Sequence, residues 1–215
     1  MSRIFKPETL LLYLVLDPGL CGGAEGMIET ARRAAAGGAT MIQLRAPNWK
    51  KRALVECARE LKKILAPFDI PLIINDHADV CLAAGADGLH VGQADLAVED
   101  ARSIIGSTRI LGLSANTIGT VRAANPALVD YLGIGPIAQT KTKPDAAAAL
   151  GIEGFASLAR IKPCPVVAIG SVTTANAGDL VRAGADGIAV VSAICGKPDP
   201  AKAAKTLAKI VRQAF

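Results

Sequence analysis

Two carboxylates follow neighbouring predicted strands and could hold a metal ion. Asp76 comes after the apolar run Leu72 to Asn75, and Asp95 comes after Gly88 to Val91. Because parallel strands end at the same edge of a sheet, both carboxylates can meet one hard cation, and Mg²⁺ suits two carboxylates completed by water and phosphate oxygens. The alternative is that each aspartate caps the helix that follows it, which is a common place for Asp. The residue types alone leave both interpretations open.

Cationic and polar side chains follow other predicted strands and fit a phosphorylated ligand. Arg45 is suited to bidentate contact with a phosphate, and Lys143 supplies a movable point charge. Gln43 and Asn75 can form hydrogen bonds with ring atoms of a ligand, and Ser114 ends a further strand. Taken alone, any of these side chains could instead form an ion pair or hydrogen bond inside a barrel.

Two further segments have the composition of phosphate-binding loops. Thr140 to Lys143 lie in a long loop whose hydroxyl and N–H groups can wrap a phosphate, although a solvated polar loop fits equally well. Gly170, Ser171 and Ser192 follow the last two predicted strands, where many barrels bind phosphate through backbone N–H groups. His90 lies inside an apolar strand, so we interpret it as a packed, hydrogen-bonded core histidine.

The elements that must position these residues are strands and helices in alternation. Short runs rich in Val, Ile and Leu alternate with Ala-rich segments of helical period, which is typical of βα units with strands buried on both faces. The candidate strands are Leu11 to Leu16, Met41 to Arg45, Leu72 to Asn75, Gly88 to Val91, Ile110 to Leu113, Tyr131 to Ile134, Val166 to Ile169 and Gly187 to Val191.

A weak internal repeat supports this count. Gly-Ala-Thr or Gly-Ala-Asp precedes three of the strands, at 38–40, 85–87 and 184–186. The regular spacing of the units favours closure into a barrel. We therefore predict an α/β fold that is a single (β/α)₈ TIM barrel over residues 1–215, with a doubly wound open sheet as the alternative from spacing alone.

Composition excludes several classes of protein. The net charge is +5 and only 3% of residues are aromatic, so a nucleic-acid surface built on clustered charge and stacking is not expected, whereas the positive excess favours anionic substrates. The apolar run Leu10 to Leu16 is too short to span a membrane, and we expect a cytoplasmic protein. The five cysteines have no metal-site spacing and fit reduced, mostly buried residues. Helix composition leaves a homodimer open.

The order and spacing of the motifs resemble those of the thiamine-phosphate synthase family from Tyr13 to Ile194, and the related thiazole tautomerase is the nearest relative of that family. The segments that carry the resemblance are Gln43-Leu44-Arg45, Ile74-Asn75-Asp76, Asp87 to Asp95, Leu113-Ser114, Gly133 to Ile137, Thr140 to Lys143, Ala168 to Gly170 and Val191 to Ile194. No single motif is specific, but their combination is.

The resemblance implies a Mg²⁺-dependent transferase that joins 4-amino-5-hydroxymethyl-2-methylpyrimidine diphosphate to hydroxyethylthiazole phosphate. In that family diphosphate departs first, and the thiazole nitrogen attacks the pyrimidine-stabilised cation that remains. Carried over by position, Asp76 and Asp95 would hold Mg²⁺, and the diphosphate would be bound by Arg45, Asn75 and Lys143. Gln43 and Ser114 would contact the pyrimidine. The residues implied to bind the thiazole phosphate are Thr140, Lys141, Thr142, Gly170, Ser171, Val191 and Ser192. The implied catalytic residues are Arg45, Lys143 and Ser114.

The chain departs from the family pattern at three places. Pro47 stands where the family usually has a lysine, so one cationic contact with diphosphate is missing. Ser171 replaces the second of two glycines and loses glycine's freedom at positive φ. Ala138-Gln139 replaces an aromatic residue followed by a small residue or proline, which changes the wall of the thiazole pocket.

Three rival functions share this barrel. The tautomerase has a histidine two residues after the serine of the fifth strand, whereas this chain has Asn116. A barrel that binds thiazole or thiamine phosphates without turnover would fit Pro47 and Ser171. A phosphosugar isomerase or epimerase needs a placed general base and gains nothing from the pair Asp76 and Asp95.

Overall fold

The computed structural model describes residues 5–139 and 148–215. Within these ranges eight parallel strands close into one barrel in chain order, with β8 paired to β1. The strands are β1 (Leu12–Leu16), β2 (Met41–Leu44), β3 (Leu72–Asn75), β4 (Gly88–Val91), β5 (Ile110–Ala115), β6 (Tyr131–Ile134), β7 (Val166–Ile169) and β8 (Gly187–Val190). The predicted (β/α)₈ barrel is therefore confirmed, and the open sheet is excluded.

Helices surround the barrel. In the described ranges they are α1 (Pro18–Cys21), α2 (Ala24–Ala36), α3 (Lys51–Leu65), α4 (Ala78–Ala84), α5 (Val98–Ile105), α6 (Ile118–Ala123), α7 (Gly151–Ala159), α8 (Ala177–Arg182) and α9 (Pro200–Ala214), with short 3₁₀ turns at Pro7–Leu10 and Ala66–Phe68. α3 shows why they pack as they do, because Leu54, Cys57, Leu61 and Leu65 recur at helical spacing and are buried. Among the described residues, no helix has the length and apolar composition needed to cross a membrane.

Successive side chains of a strand point to opposite faces of the barrel wall, and this alternation produces two separate apolar clusters. In β1, Leu12, Leu14 and Leu16 belong to the large core that also contains the buried helix residues, whereas Tyr13 belongs to a second cluster. The second cluster consists of Leu10, Tyr13, Met41, Ile73, Ile110, Tyr131, Val167 and Ala189. It fills the barrel interior and forms the floor on which a site at the mouth rests.

The amino-terminal ends of the strands are tied together by a four-fold repeat. The residue before each even-numbered strand accepts a hydrogen bond from a backbone N–H at the start of the preceding strand: Thr40 from Leu12, Asp87 from Leu72, Asp130 from Leu111 and Asp186 from Val166. The three aspartates also pair with Lys62, Arg102 and Lys162. The Gly-Ala-Thr and Gly-Ala-Asp sequences thus serve stability at the face opposite the active-site mouth.

Replacing Asp186 with alanine is expected to lower the free energy of unfolding by about 2 kcal/mol, because the Val166 N–H and the Lys162 ammonium lose their shared acceptor. Asp179 provides the control, since it pairs with Arg182 on the surface, where both side chains are more than half exposed. Asp179→Ala should cost less than about 1 kcal/mol. Urea unfolding measures both, and equal losses would contradict the structural role of the repeat.

Candidate active site

A cavity of about 730 Å³ opens at the carboxyl ends of the strands. All eight described residues predicted to bind substrate line it: Gln43, Arg45, Asn75, Ser114, Gly170, Ser171, Val191 and Ser192. Thr140, Lys141, Thr142 and Lys143 lie outside the described residues. Among the residues that the structure describes, Arg45 is the one cationic side chain in the cavity wall. The structure therefore brings together the polar groups that the strand ends predict.

The lower wall of the cavity is largely apolar. Val15, Val167, Ile169 and Ala189 face it from β1, β7 and β8, and Tyr13 lies among them. Gln43 is the polar exception, because only 4% of its surface is exposed and its Nε2 donates to the Tyr13 hydroxyl at 2.5 Å. A buried amide held in this way offers its remaining polar groups to a ligand in a dry environment.

Ser114 is held from two directions at the end of β5. Its Oγ lies 2.9 Å from His90 Nε2, and its carbonyl oxygen accepts from Gln93 Nε2 at 2.6 Å. His90 also lies 3.0 Å from the Tyr131 hydroxyl through Nδ1. His90 is hydrogen-bonded, as the sequence predicts, but it also lines the cavity.

Sequence reasoning missed Tyr13, His90 and Gln93 as residues of the site. Tyr13 and His90 lie inside strands among apolar residues, so their types resemble core positions. The signal that could have found His90 is the alternation of the strand, because a polar side chain on the inner face of a barrel strand near its carboxyl end faces the mouth. Tyr13 lies near the amino end of β1 and Gln93 lies after β4, so this signal does not apply to them.

Neither acidic residue occupies the N-cap position of the helix that follows it. The residue before α4 is His77 and the residue before α5 is Ala97, and neither helix start has a side-chain cap. The capping alternative for Asp76 and Asp95 is therefore wrong.

The two carboxylates have defined local contacts. Asp76 has a left-handed backbone, with φ of 63°, and its N–H donates to the carbonyl of His90 on the neighbouring strand. Asp95 is exposed, and its Oδ2 accepts the N–H of Gly92 at 2.8 Å. Asn75 and Gly92, which adjoin them, line the cavity, whereas Asp76 and Asp95 are not among its lining residues.

These carboxylates do not form a complete protein metal site. No group of three or more His, Cys, Asp or Glu suited to a metal ion occurs within the described ranges. Two carboxylates fit a hard divalent cation that takes its other ligands from water and substrate phosphate, as Mg²⁺ commonly does. A Zn²⁺ site would need more protein ligands.

The loops after β7 and β8 have the geometry of an anion site. Gly170 has φ of 90°, and a Cβ there would lie 2.6 Å from Pro136 Cβ, so this position requires glycine. Ser171 follows with φ of 59°, a conformation that costs a non-glycine residue about 1 kcal/mol or more. Within the described residues, the backbone N–H groups of Ser171 and Ser192 donate to no acceptor. They are available to an anion.

The positions that depart from the family pattern lie around this cavity. Pro47 is exposed in the turn after β2, and Gln139 lines the cavity, with its carbonyl accepting from Ser171 Oγ at 2.6 Å. Asn116 also lines the cavity, in the place where the tautomerase would have a histidine. Serine therefore keeps the left-handed backbone after Gly170 and gains a contact with the loop that follows β6.

Known proteins resemble this chain both in sequence and in fold. Residues 12–194 match the family model described as thiamine monophosphate synthase. The chain is 50% identical over 202 residues to a thiamine-phosphate synthase of Xanthobacter autotrophicus, covering 94% of this chain and 95% of that protein. It is 49% identical over 196 residues to one of Laribacter hongkongensis, covering 91% and 92%. A solved structure of thiamine phosphate pyrophosphorylase from Pyrococcus furiosus superposes with a TM-score of 0.88 at 33% identity, covering 97% and 98% of the two chains.

Proposed function

We propose that this chain, which belongs to the thiamine monophosphate synthase family, joins hydroxymethylpyrimidine diphosphate to hydroxyethylthiazole phosphate with Mg²⁺ and releases diphosphate. Its relatives, at half identity over nearly the whole chain, make it a thiamine-phosphate synthase, which is a transferase. The observation that carries the finer proposal is the convergence of all eight described candidate residues on one cavity at the barrel mouth.

The cavity supports a division between the two substrates. Gln43 and Ser114 would contact the pyrimidine above the barrel floor, and Arg45 and Asn75 would contact the diphosphate. Ser171, Val191 and Ser192, which follow β7 and β8, would hold the thiazole phosphate, mainly through backbone groups. Lys143 for the diphosphate and Thr140 to Thr142 for the thiazole phosphate stay predictions, since they lie outside the described residues.

A dissociative substitution fits the groups in this cavity. The bond between the pyrimidinylmethyl carbon and the diphosphate oxygen breaks first, and the thiazole nitrogen then forms a bond to that carbon. No proton transfer is needed in either step, so the site needs charge stabilisation and exclusion of water more than a general base. Arg45 would stabilise the leaving diphosphate, and the apolar wall of Val15, Val167 and Ile169 would exclude water from the cation.

Asp76 and Asp95 would hold the magnesium ion. Their oxygen donors suit Mg²⁺, and neither residue occupies the N-cap position of a helix. When bound, Mg²⁺ neutralises charge on the departing diphosphate. Gly92 supports the position of Asp95, because its N–H holds one oxygen of the carboxylate.

Titration with inorganic diphosphate tests the metal site. Native protein should bind diphosphate at least about tenfold more tightly with Mg²⁺ than without it, and Asp95→Asn should lose this enhancement, because an amide replaces one carboxylate ligand. Asp100→Asn is the matched control, since Asp100 is exposed on α5 and does not line the cavity. An Asp95→Asn variant that keeps the full enhancement would contradict the assignment.

A further inference from the structure

A continuous chain of hydrogen bonds crosses the barrel interior beneath the cavity. Gln43 Nε2 contacts the Tyr13 hydroxyl at 2.5 Å, and the Tyr13 hydroxyl lies 2.9 Å from that of Tyr131. The Tyr131 hydroxyl lies 3.0 Å from His90 Nδ1, and His90 Nε2 lies 2.9 Å from Ser114 Oγ. The chain therefore begins and ends at the two side chains proposed to meet the pyrimidine.

One order of hydrogens gives every buried donor in this chain an acceptor within the chain. The Gln43 amide nitrogen can only donate, so the Tyr13 oxygen accepts. Burial raises the pKa of both Tyr13 and Tyr131 above the ordinary value of a tyrosine, so each hydroxyl keeps its one hydrogen. In that order Tyr13 donates to Tyr131, and Tyr131 donates to His90 Nδ1. A neutral His90 consequently carries its hydrogen on Nε2 and donates to Ser114 Oγ.

The ends of the chain are complementary hydrogen-bonding groups. Because Ser114 Oγ accepts from His90, its own hydrogen is available to a ligand in the cavity that Ser114 lines. Because Gln43 uses its nitrogen on Tyr13, its Oε1 is the acceptor left for a ligand. A 4-aminopyrimidine presents a ring nitrogen that accepts and an amino group that donates. A 4-oxopyrimidine presents an N–H and a carbonyl, which is the opposite pattern.

Packing holds the chain rigidly. Tyr13 and Tyr131 are 1% and 0% exposed, and their rings meet edge to face with centroids 5.8 Å apart. A Cβ at Gly112 would lie 2.2 Å from Tyr131 Cζ and 2.5 Å from His90 Nδ1, so β5 needs glycine at this point. A Cβ at Gly133 would lie 3.4 Å from His90 Cε1. The absence of side chains at Gly112 and Gly133 thus leaves the space that Tyr131 and His90 occupy.

We propose that Tyr13, Tyr131 and His90 are positioning residues that fix Ser114 as a donor and Gln43 Oε1 as an acceptor, so that the site selects 4-aminopyrimidines over 4-oxopyrimidines. The proposal rests on the proposed function for the identity of the ligand. The order of hydrogens within the chain is independent of that function.

The tautomer of His90 tests the order of hydrogens directly. The chain has only two histidines, His77 and His90, so long-range ¹⁵N–¹H spectra of native protein and of His77→Asn assign the His90 ring without ambiguity. Neutral His90 should carry its hydrogen on Nε2. A hydrogen on Nδ1 would reverse the bonds from Ser114 to Tyr13, would turn the Ser114 hydrogen towards His90 Nε2 and would overturn the proposal, whether or not the protein is a synthase.

Ligand discrimination tests the consequence. Tyr131→Phe keeps the ring but removes the hydroxyl that joins Tyr13 to His90, so the affinity ratio for 4-amino over 4-oxo pyrimidine diphosphates should fall by about tenfold or more. Affinity for the thiazole phosphate should stay unchanged. Phe5→Leu is the control, because Phe5 stacks on Tyr131 with centroids 6.1 Å apart but is not part of the hydrogen-bond chain.

The two variants separate positioning from general packing. Phe5→Leu should keep the native discrimination ratio. If Tyr131→Phe also keeps it, or if both variants lower it equally, the positioning role is wrong. If native protein binds neither pyrimidine diphosphate, the proposed function fails, while the His90 spectrum still decides the order of hydrogens.

Discussion

Replacing Arg45 with alanine is expected to lower kcat/KM for the pyrimidine diphosphate by about 10²- to 10³-fold. Arg45 is the one cationic side chain in the described part of the cavity wall, and Pro47 stands two residues after it. Stabilisation of the charge on the departing diphosphate therefore depends strongly on this guanidinium. KM for the thiazole phosphate should change little. Steady-state kinetics with each substrate varied in turn measures both effects.

Two companion variants show what Arg45 contributes. Arg45→Lys keeps the charge but loses the bidentate fork, so it should recover only part of the lost activity. Pro47→Lys in the Arg45→Ala background adds back a cation near the diphosphate and should also recover part of it. An Arg45→Ala enzyme with native kcat/KM would remove Arg45 from the proposed diphosphate site.

Gly112→Ala should lower the free energy of unfolding by about 3 kcal/mol, which lies at the upper end of the cost of overpacking a core. The added methyl group would lie 2.2 Å from Tyr131 Cζ, 2.4 Å from its hydroxyl and 2.5 Å from His90 Nδ1. Tyr131 is completely buried and has no room to retreat, so either the ring moves and breaks its hydrogen bonds or the strand shifts. Turnover of the folded fraction should fall as well, because Ser114 loses the support of His90.

Gly119→Ala is the matched control for this substitution. Gly119 lies in α6, and the atom nearest to a Cβ there is Thr117 Oγ1 at 3.7 Å, which is ordinary contact. Alanine should raise the stability of the helix by about 0.5–1 kcal/mol. Thermal unfolding of both variants gives the comparison. A Gly112→Ala protein as stable as the native one would show that the floor of the barrel is not packed as described.

The strands were predictable because their apolar composition indicates burial on both faces. β3, β4, β6 and β7 have the predicted bounds, and β1, β2, β5 and β8 differ by one or two residues at an end. β2 ends before Arg45, whereas β5 continues through Ser114 and Ala115, so side-chain composition does not fix the residue at which a strand ends. Closure followed from the count and spacing of the units, since eight βα units of this length satisfy the geometry of a barrel.

Other features could not be predicted from the sequence because they depend on how the strands pair in three dimensions. The repeat at the amino-terminal rim was visible at Thr40, Asp87 and Asp186 but not at Asp130, because Leu128-Val129 precedes it instead of Gly-Ala. The contacts between Tyr13, Tyr131 and His90 join β1, β6 and β4, which no local pattern relates. Strand-end position did predict eight residues of the cavity wall, because all parallel strands of a barrel end at one mouth, but it missed Tyr13, His90 and Gln93.

Release of diphosphate by purified protein given both phosphorylated substrates, with and without Mg²⁺, tests the central claim most directly. We predict release that requires both substrates and the metal and that is lost in Asp76→Ala, with thiamine phosphate formed in equal amount. Asp76 belongs to the proposed metal site, and its variant distinguishes enzymatic release from background hydrolysis. Binding of the thiazole phosphate without any release of diphosphate would contradict the synthase and indicate a barrel that binds its ligand without turnover.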